Sequence, residues 1–427
     1  MLGLFVGGSN RMEKTVVELF AGVGGFRVGL NSIDSFDATG HAIEKGDWKF
    51  VWANQWEPTT KTQHAFDCYN LRFGGTDSNS SNIDIALVNK SDIPNHTLLC
   101  GGFPCQDYSV AHSLSKEKGI EGKKGVLWWQ IRDTLIAKRT PFVLLENVDR
   151  LTKSPAKQRG RDFGIILRCF ADLGYAVEWR IINAADYGMP QRRRRTYIFA
   201  SRKGTNFYKT LKQSNAVDVI TMEGIFAKAF PIQKDNIIIT TSNLKDDYND
   251  IVDISNKYKF TFQNSGFMIN GIVYTAKTTP ILEKAVTLGQ IVEKNADKHF
   301  YLSKQEIEKF EYLRGSKKIS RKSSDGHAYV YSEGAMSPYD DLSLPGRTML
   351  TSEGSINRST HILKDPTMGK LRKLTPIECE RLQQFPDNWT DSGMPEKRRY
   401  FMMGNALVCG IVRRLGNFID KIIANEK

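Results

Sequence analysis

Cysteine is scarce and scattered in this chain: Cys68, Cys100, Cys105, Cys169, Cys379 and Cys409 are its six, and none forms a Cys-x-x-Cys pair. With seven histidines in no ligand spacing, that scatter argues against a zinc module and predicts no bound metal. It fits reduced thiols in an intracellular, cytoplasmic protein, one of which is free to act chemically. No apolar run reaches the length of a membrane span, so no membrane partner is expected. Leu2-Gly3-Leu4-Phe5-Val6 is too short for a signal-peptide core and lacks a basic leader; a start at Met12 would remove only residues 1–11. Acidic residues are in the minority, 47 against 60 Lys and Arg, for a net charge of +13. Such a surplus favours a polyanionic partner through counterion release.

What is present first is rhythm. Thr15 to Phe20 is a short β-rich run, followed by a glycine turn and an apolar stretch to Leu30. Thr97 to Gly101 and Phe142 to Val148 read as buried strands, and Thr196 to Ala200 as a further one. Leu127, Ile131 and Leu135 mark a helix that stops before Pro141; Phe163, Ile166, Leu167, Phe170 and Leu173 mark another, ended by Gly174. This alternation predicts an α/β domain: an open, mostly parallel, Rossmann-like sheet with helices on both faces.

From 204 to 346 the rhythm is lost, repeats and low-complexity tracts are absent, and polar, basic and aromatic residues mix. One hairpin stands out there, Phe267-Met268-Ile269 and Ile272-Val273-Tyr274 around the type I′ pair Asn270-Gly271. Order returns at Thr375-Pro376-Ile377-Glu378, a capping box with proline in the first turn. Val408, Ile411, Val412, Leu415, Phe418, Ile419 and Ile422 then form a helical stripe suited to packing on the first domain's sheet. The expected division is a discontinuous catalytic and cofactor-binding domain, 1–203 with 400–427, and a smaller irregular, partly β domain over 204–399 with a hinge helix near 375–385.

Four short motifs carry the chemistry. Phe20-Ala21-Gly22-Val23-Gly24-Gly25-Phe26 joins strand to helix and lets backbone amides approach a ligand, but it lacks the GxGxxG spacing of a dinucleotide site, which argues against a nicotinamide-dependent oxidoreductase. Asn54-Gln55-Trp56-Glu57 offers amide and acid groups for a ribose. Gly101-Gly102-Phe103-Pro104-Cys105-Gln106 follows a buried strand, where ligands bind in open α/β sheets. Glu146-Asn147-Val148 ends another strand with a carboxylate that needs a partner or a shared proton. Gln191-Arg192-Arg193-Arg194-Arg195 runs into the next; strand alternation would put Arg193 and Arg195 on one face.

In this order, VVELFAGVGGFRVGL, GGFPCQ, ENV, QRRRR, LTPIECERLQQFP and MGNALV resemble the motif series of the DNA cytosine-5 methyltransferases, in their compact prokaryotic restriction-modification form. The resemblance spans nearly the whole chain outside the central stretch. It implies methyl transfer from S-adenosylmethionine to carbon 5 of a cytosine flipped out of double-stranded DNA. An RNA (tRNA) cytosine-5 methyltransferase built on the same motifs is the alternative, and a binding protein that has lost catalysis a further one.

By this resemblance Cys105 attacks carbon 6 of the base, Glu146 holds ring nitrogen 3 and the exocyclic amine, Arg195 binds the carbonyl oxygen, and Arg193 steadies the loop or a phosphate. Phe20, Gly22, Val23, Gly24 and Pro104 would line the cofactor pocket; Trp56 would stack on adenine and Glu57, or its neighbour Gln55, would hold the ribose. Asp84 and Ile85 would read the adenine amino group, with Leu127, Asn405 and Ala406 completing the wall. Gln106 to Lys124 resembles the loop that closes over the flipped base, and 204–346 the target-recognition region. Arg347-Thr348-Met349-Leu350-Thr351 and Arg358-Ser359-Thr360-His361 would place recognition loops. A monomer is expected, with a cognate restriction endonuclease acting on the same DNA site.

Overall fold

Successive residues of the first strand, β1 (Thr15–Leu19), are buried on opposite sides: Val16 joins one apolar cluster and Val17 the other. The same alternation runs through β4 (Leu98–Gly102) and β5 (Phe142–Val148), so this sheet is covered on both faces. A computed structural model describes residues 12–58, 60–76, 78–103, 127–233, 236–322 and 326–426.

With β2 (Lys49–Asn54), β3 (Ser80–Ser81), β6 (Tyr175–Asn183), β7 (Arg194–Arg202), β8 (Ile239–Asn243), β9 (Ser265–Ile269) and β10 (Ile272–Ala276), these strands form one ten-stranded sheet. Its order is β8-β10-β9-β6-β7-β5-β4-β1-β2-β3. The expected α/β sheet is there, in mixed form. The β3-β2-β1-β4-β5 side is parallel, while β5-β7, β7-β6, β6-β9, β9-β10 and β10-β8 are antiparallel.

One face carries α1 (Gly25–Asn31), α2 (His64–Phe73), α6 (Pro376–Leu382), α7 (Glu396–Asn405) and α8 (Cys409–Ala424); the other carries α3 (Leu127–Lys138) and α4 (Arg161–Asp172). Gly29 is where α1 meets α8: a Cβ there would stand 2.5 Å from the Val412 Cβ. The last helix therefore closes against the first, as its apolar stripe predicted. Helix α4 ends where Gly174 takes φ 78°, and Asn270 and Gly271 both have positive φ, as a type I′ turn needs. The capping box of α6 is formed, Thr375 accepting from the Glu378 amide and Glu378 from the Thr375 amide.

The hairpin departs from expectation. Read from the sequence as part of a module apart from the sheet, β9 instead pairs with β6, from Ser265 opposite Arg180 to Met268 opposite Val177. Phe267 and Met268 go to clusters on opposite faces, so burial on both sides draws the hairpin onto the sheet edge. Beyond it, α5 (Lys304–Arg314) leads into a second hairpin, β11 (Lys317–Lys322) and β12 (Ala328–Glu333), which among the described residues pair only with one another.

Candidate active site

The glycine turn follows directly from β1, and three of its residues leave the right-handed region: Phe20 at φ 56°, Gly22 at 56° and Gly24 at 89°. A side chain at Gly24 would collide with Phe73, since its Cβ would lie 2.5 Å from that ring. The turn is tied to the neighbouring strand end by Ala21 N to Asn54 O, 3.0 Å, and by Gly22 N to Gln55 Oε1, 2.8 Å. Beneath it the Glu18 carboxylate accepts from Phe26 N at 3.3 Å and from the Tyr69 hydroxyl at 3.2 Å; burial lifts its pKa to about 8.

Of the other residues expected around a cofactor, Trp56 and Glu57 follow the strand end to which the turn is tied. The Trp56 indole is exposed. Glu57 is ion-paired through Oε1 with Arg398 Nη2 at 2.6 Å, while its Oε2 is buried without a hydrogen-bond partner among the described residues. Asp84 accepts from Ala86 N and so caps a short helical turn at the buried Ile85; Asn54 Nδ2 holds that loop through Ile83 O, 3.0 Å. Leu127 opens α3. Asn405 ends α7, and the Ala406 carbonyl accepts from Gln383 Nε2 at 3.2 Å. Next in sequence, Leu407 lies 3.0 Å from where a Gly25 Cβ would be, bringing this C-terminal segment to the start of α1.

Glu146 and Arg195 meet. They lie diagonally across β5 and β7, where Val148 faces Arg195 and Glu146 faces Tyr197, and Arg195 Nε stands 3.0 Å from Glu146 Oε1. Burial pushes the Glu146 carboxyl above its usual range, and the charges of Arg195 and Arg193 pull it partway back. A methyl group on Gly102 would stand 3.6 Å from Glu146 Oε2 and 3.9 Å from the Phe26 ring, and one on Gly101 would stand 3.6 Å from the Phe20 ring. Thus the end of β4, the acid and the glycine turn converge. Asn147 Nδ2 donates to Phe103 O at 2.8 Å and fixes the chain two residues before position 105. Pro104, Cys105 and the loop Gln106 to Lys124 lie outside the described residues.

Arg193 immediately precedes β7 and is buried within reach of the charges of both Arg195 and Glu146. Its buried guanidinium donates to Met349 O at 3.1 Å and Gly404 O at 3.0 Å, and burial lowers its pKa to about 9. It holds two backbone segments, one near α7's end and one after the central region. Gln191 works beside it, accepting from Met349 N at 3.1 Å. Arg347 and Arg358 are likewise tied down, Arg347 to Asp340 at 2.5 Å and Arg358 to Leu313 O at 2.7 Å.

Sequence reasoning gave no part to Trp389 or Arg398. The Trp389 indole donates to Val23 O at 2.8 Å from a fully buried position, so it braces the glycine turn from 366 residues away. Its one signal was a large aromatic just after the Gln-Gln-Phe-Pro motif.

The C-5 cytosine-specific DNA methylase family model matches residues 14–421. The chain is 54% identical to the type II methyltransferase M.Sau3AI of Staphylococcus aureus over 416 residues, 96% of this chain and 97% of that one. It is 27% identical to M.HhaI of Haemophilus parahaemolyticus over 234 residues, 54% of this chain and 63% of the relative. Among solved structures the Dnmt2 methyltransferase of S. pombe is similar in fold, with TM-score 0.58 and 15% identity over 96% of this chain and 99% of that one. With the family's motifs in order and a near-complete match at this identity, the chain belongs to the C-5 cytosine-specific DNA methylases and is a DNA cytosine-5 methyltransferase.

Proposed function

We propose that this enzyme transfers a methyl group from S-adenosylmethionine to carbon 5 of a flipped-out cytosine in a specific duplex sequence, through a covalent adduct at Cys105. The observation that carries this is the partly buried Glu146–Arg195 pair, set against the end of β4 and the glycine turn.

The residues beside that turn fit the cofactor. A Cβ on Gly22 would meet open space, the Trp56 face is free to stack, and the orphaned Glu57 Oε2 supplies an acceptor for a ribose hydroxyl. Phe20, Val23, Gly24, Asp84, Ile85, Pro104, Leu127, Asn405 and Ala406 are the remaining candidates to hold it. Bound there, S-adenosylmethionine supplies an electrophilic methyl group.

Carbon 5 of cytosine is a poor nucleophile until a thiolate adds at carbon 6, which is the work assigned to Cys105. Glu146, raised by burial, is suited to hold or share the proton at ring nitrogen 3 as charge builds in the ring. Arg195 fixes that carboxyl and presents its remaining N–H groups to the base oxygen. After carbon 5 is methylated, its proton leaves and the thiolate is expelled. The stretch over 204–399 is assigned to target recognition and 1–203 with 400–427 to catalysis, with the three sheet strands of 239–276 serving as the bridge. A monomer working in the cytoplasm, paired with an endonuclease for the same site, completes the reading.

Methyl transfer to duplex DNA and to tRNA, measured in parallel with wild type and Cys105→Ala, tests it. Incorporation into duplex DNA by wild type and none by the variant is expected. Activity on tRNA alone, or an active variant, would overturn it.

A further inference from the structure

Among the described residues strands β11 and β12 hydrogen-bond to no other strand, and they carry Ile319, Tyr329, Val330 and Tyr331 exposed, Val330 to 61%. A lone two-stranded hairpin in water is marginal; here Ile319, Tyr329 and Tyr331 share one face, with Arg321 over the Tyr331 ring at 4.1 Å, and Val330 is on the other. Its stem, by contrast, is fastened. Arg358 donates to Leu313 O, Gly315 O and Gly334 O, and Arg314 donates to Ser337 O, Asp340 and Thr360 O. Each six-residue strand therefore extends about 20 Å from a fixed base.

The register sorts the side chains. Directly opposed residues share a face, so Lys318, Ser320, Lys322, Ala328, Val330 and Ser332 make one face of the ribbon. It holds two cations, two hydroxyls and two small apolar groups, and no acid. Among the described residues of the two strands the one carboxylate is Glu333, at the stem, with Lys317 at 3.7 Å and Arg358 at 3.4 Å.

We propose that this face of the β11–β12 ribbon enters the major groove of the duplex, with Lys318 and Lys322 at phosphates and Ser320 and Val330 at base edges. A B-form major groove admits a two-stranded ribbon, short side chains let its backbone come close, and hydroxyl and methyl groups read base edges there. The charge is complementary to DNA, the polymer on which this family acts. The sharing of roles follows chemistry: cations set affinity and salt dependence, while base-edge groups set sequence preference. The inference rests on the proposed action on duplex DNA and locates its reader.

The test uses the full chain with binding titrated in salt and methylation mapped across sites. Lys318→Ala/Lys322→Ala is expected to weaken duplex binding at least tenfold and to reduce the slope of log Kd against log salt by nearly two. Ser320→Ala/Val330→Ala is expected to cut the preference for the methylated site over single-base variants at least tenfold. Thermal midpoints should match wild type, since all four side chains are outside the core. Wild-type binding, slope and preference in both variants would overturn the proposal, as would lost affinity with unchanged preference. A wild-type protein that methylates no duplex would overturn the enzymatic reading as well, and that result appears before any variant is made.

Discussion

Arg195 reaches diagonally from β7 to Glu146 on β5, its Nε 3.0 Å from the carboxylate Oε1. Neither group is well exposed, so each limits what the other can do. The guanidinium opposes the rise that burial gives the acid's pKa, and the acid fixes one edge of the guanidinium.

Glu146→Gln keeps the shape of the acid but cannot pass on a proton. A fall in kcat of about a hundredfold or more is expected, with the thermal midpoint close to wild type. Single-turnover methyl incorporation alongside thermal melting checks it.

Arg193 satisfies two buried carbonyls, Met349 O and Gly404 O. Arg193→Met leaves both without a donor and should cost about 2–4 kcal/mol in urea unfolding. Because this side chain is buried, the salt dependence of DNA binding should not move. A changed slope with unchanged stability would reverse that assignment.

The Glu18 pKa is raised from 4.5 to about 8 by burial, with Arg27 opposing. A carboxyl raised on folding stabilises fully below its unfolded value and loses that contribution as pH rises through the folded value. The urea midpoint of wild type should therefore decline between about pH 4.5 and 8, the span of those two values. Glu18→Gln should flatten part of that decline. The remainder is expected from Glu178, which burial raises to about 7.

Trp389→Phe deletes the donor to Val23 O while keeping an aromatic ring in the core. The glycine turn loses a brace, so KM for the methyl donor should rise about tenfold, roughly one charge-independent hydrogen bond. kcat at saturating donor should change little. Steady-state kinetics with the methyl donor varied separates the two.

Much of the site was legible because its signals are local. The Thr375–Glu378 box and the Asn270-Gly271 turn are written in neighbouring residue types, and both formed. Glu146 and Arg195 could be read at facing strand ends. The hairpin's attachment to β6 was not legible, since strand pairing is non-local and the polar surroundings of 265–276 masked its burial on both faces. What Arg193 holds was not legible either, since its partners Met349 O and Gly404 O lie 156 and 211 residues away. The Glu57–Arg398 pair joins positions 341 residues apart and left no pattern to find.

The attachment of β8, β9 and β10 to the sheet bears on how this enzyme's specificity can be re-engineered. A chimera that exchanged everything after residue 203 would strip three strands from the catalytic body and leave the β6 edge, with the core under it, open to solvent. Graft points placed beyond Ala276 would keep that edge sealed and still carry the β11–β12 ribbon across whole.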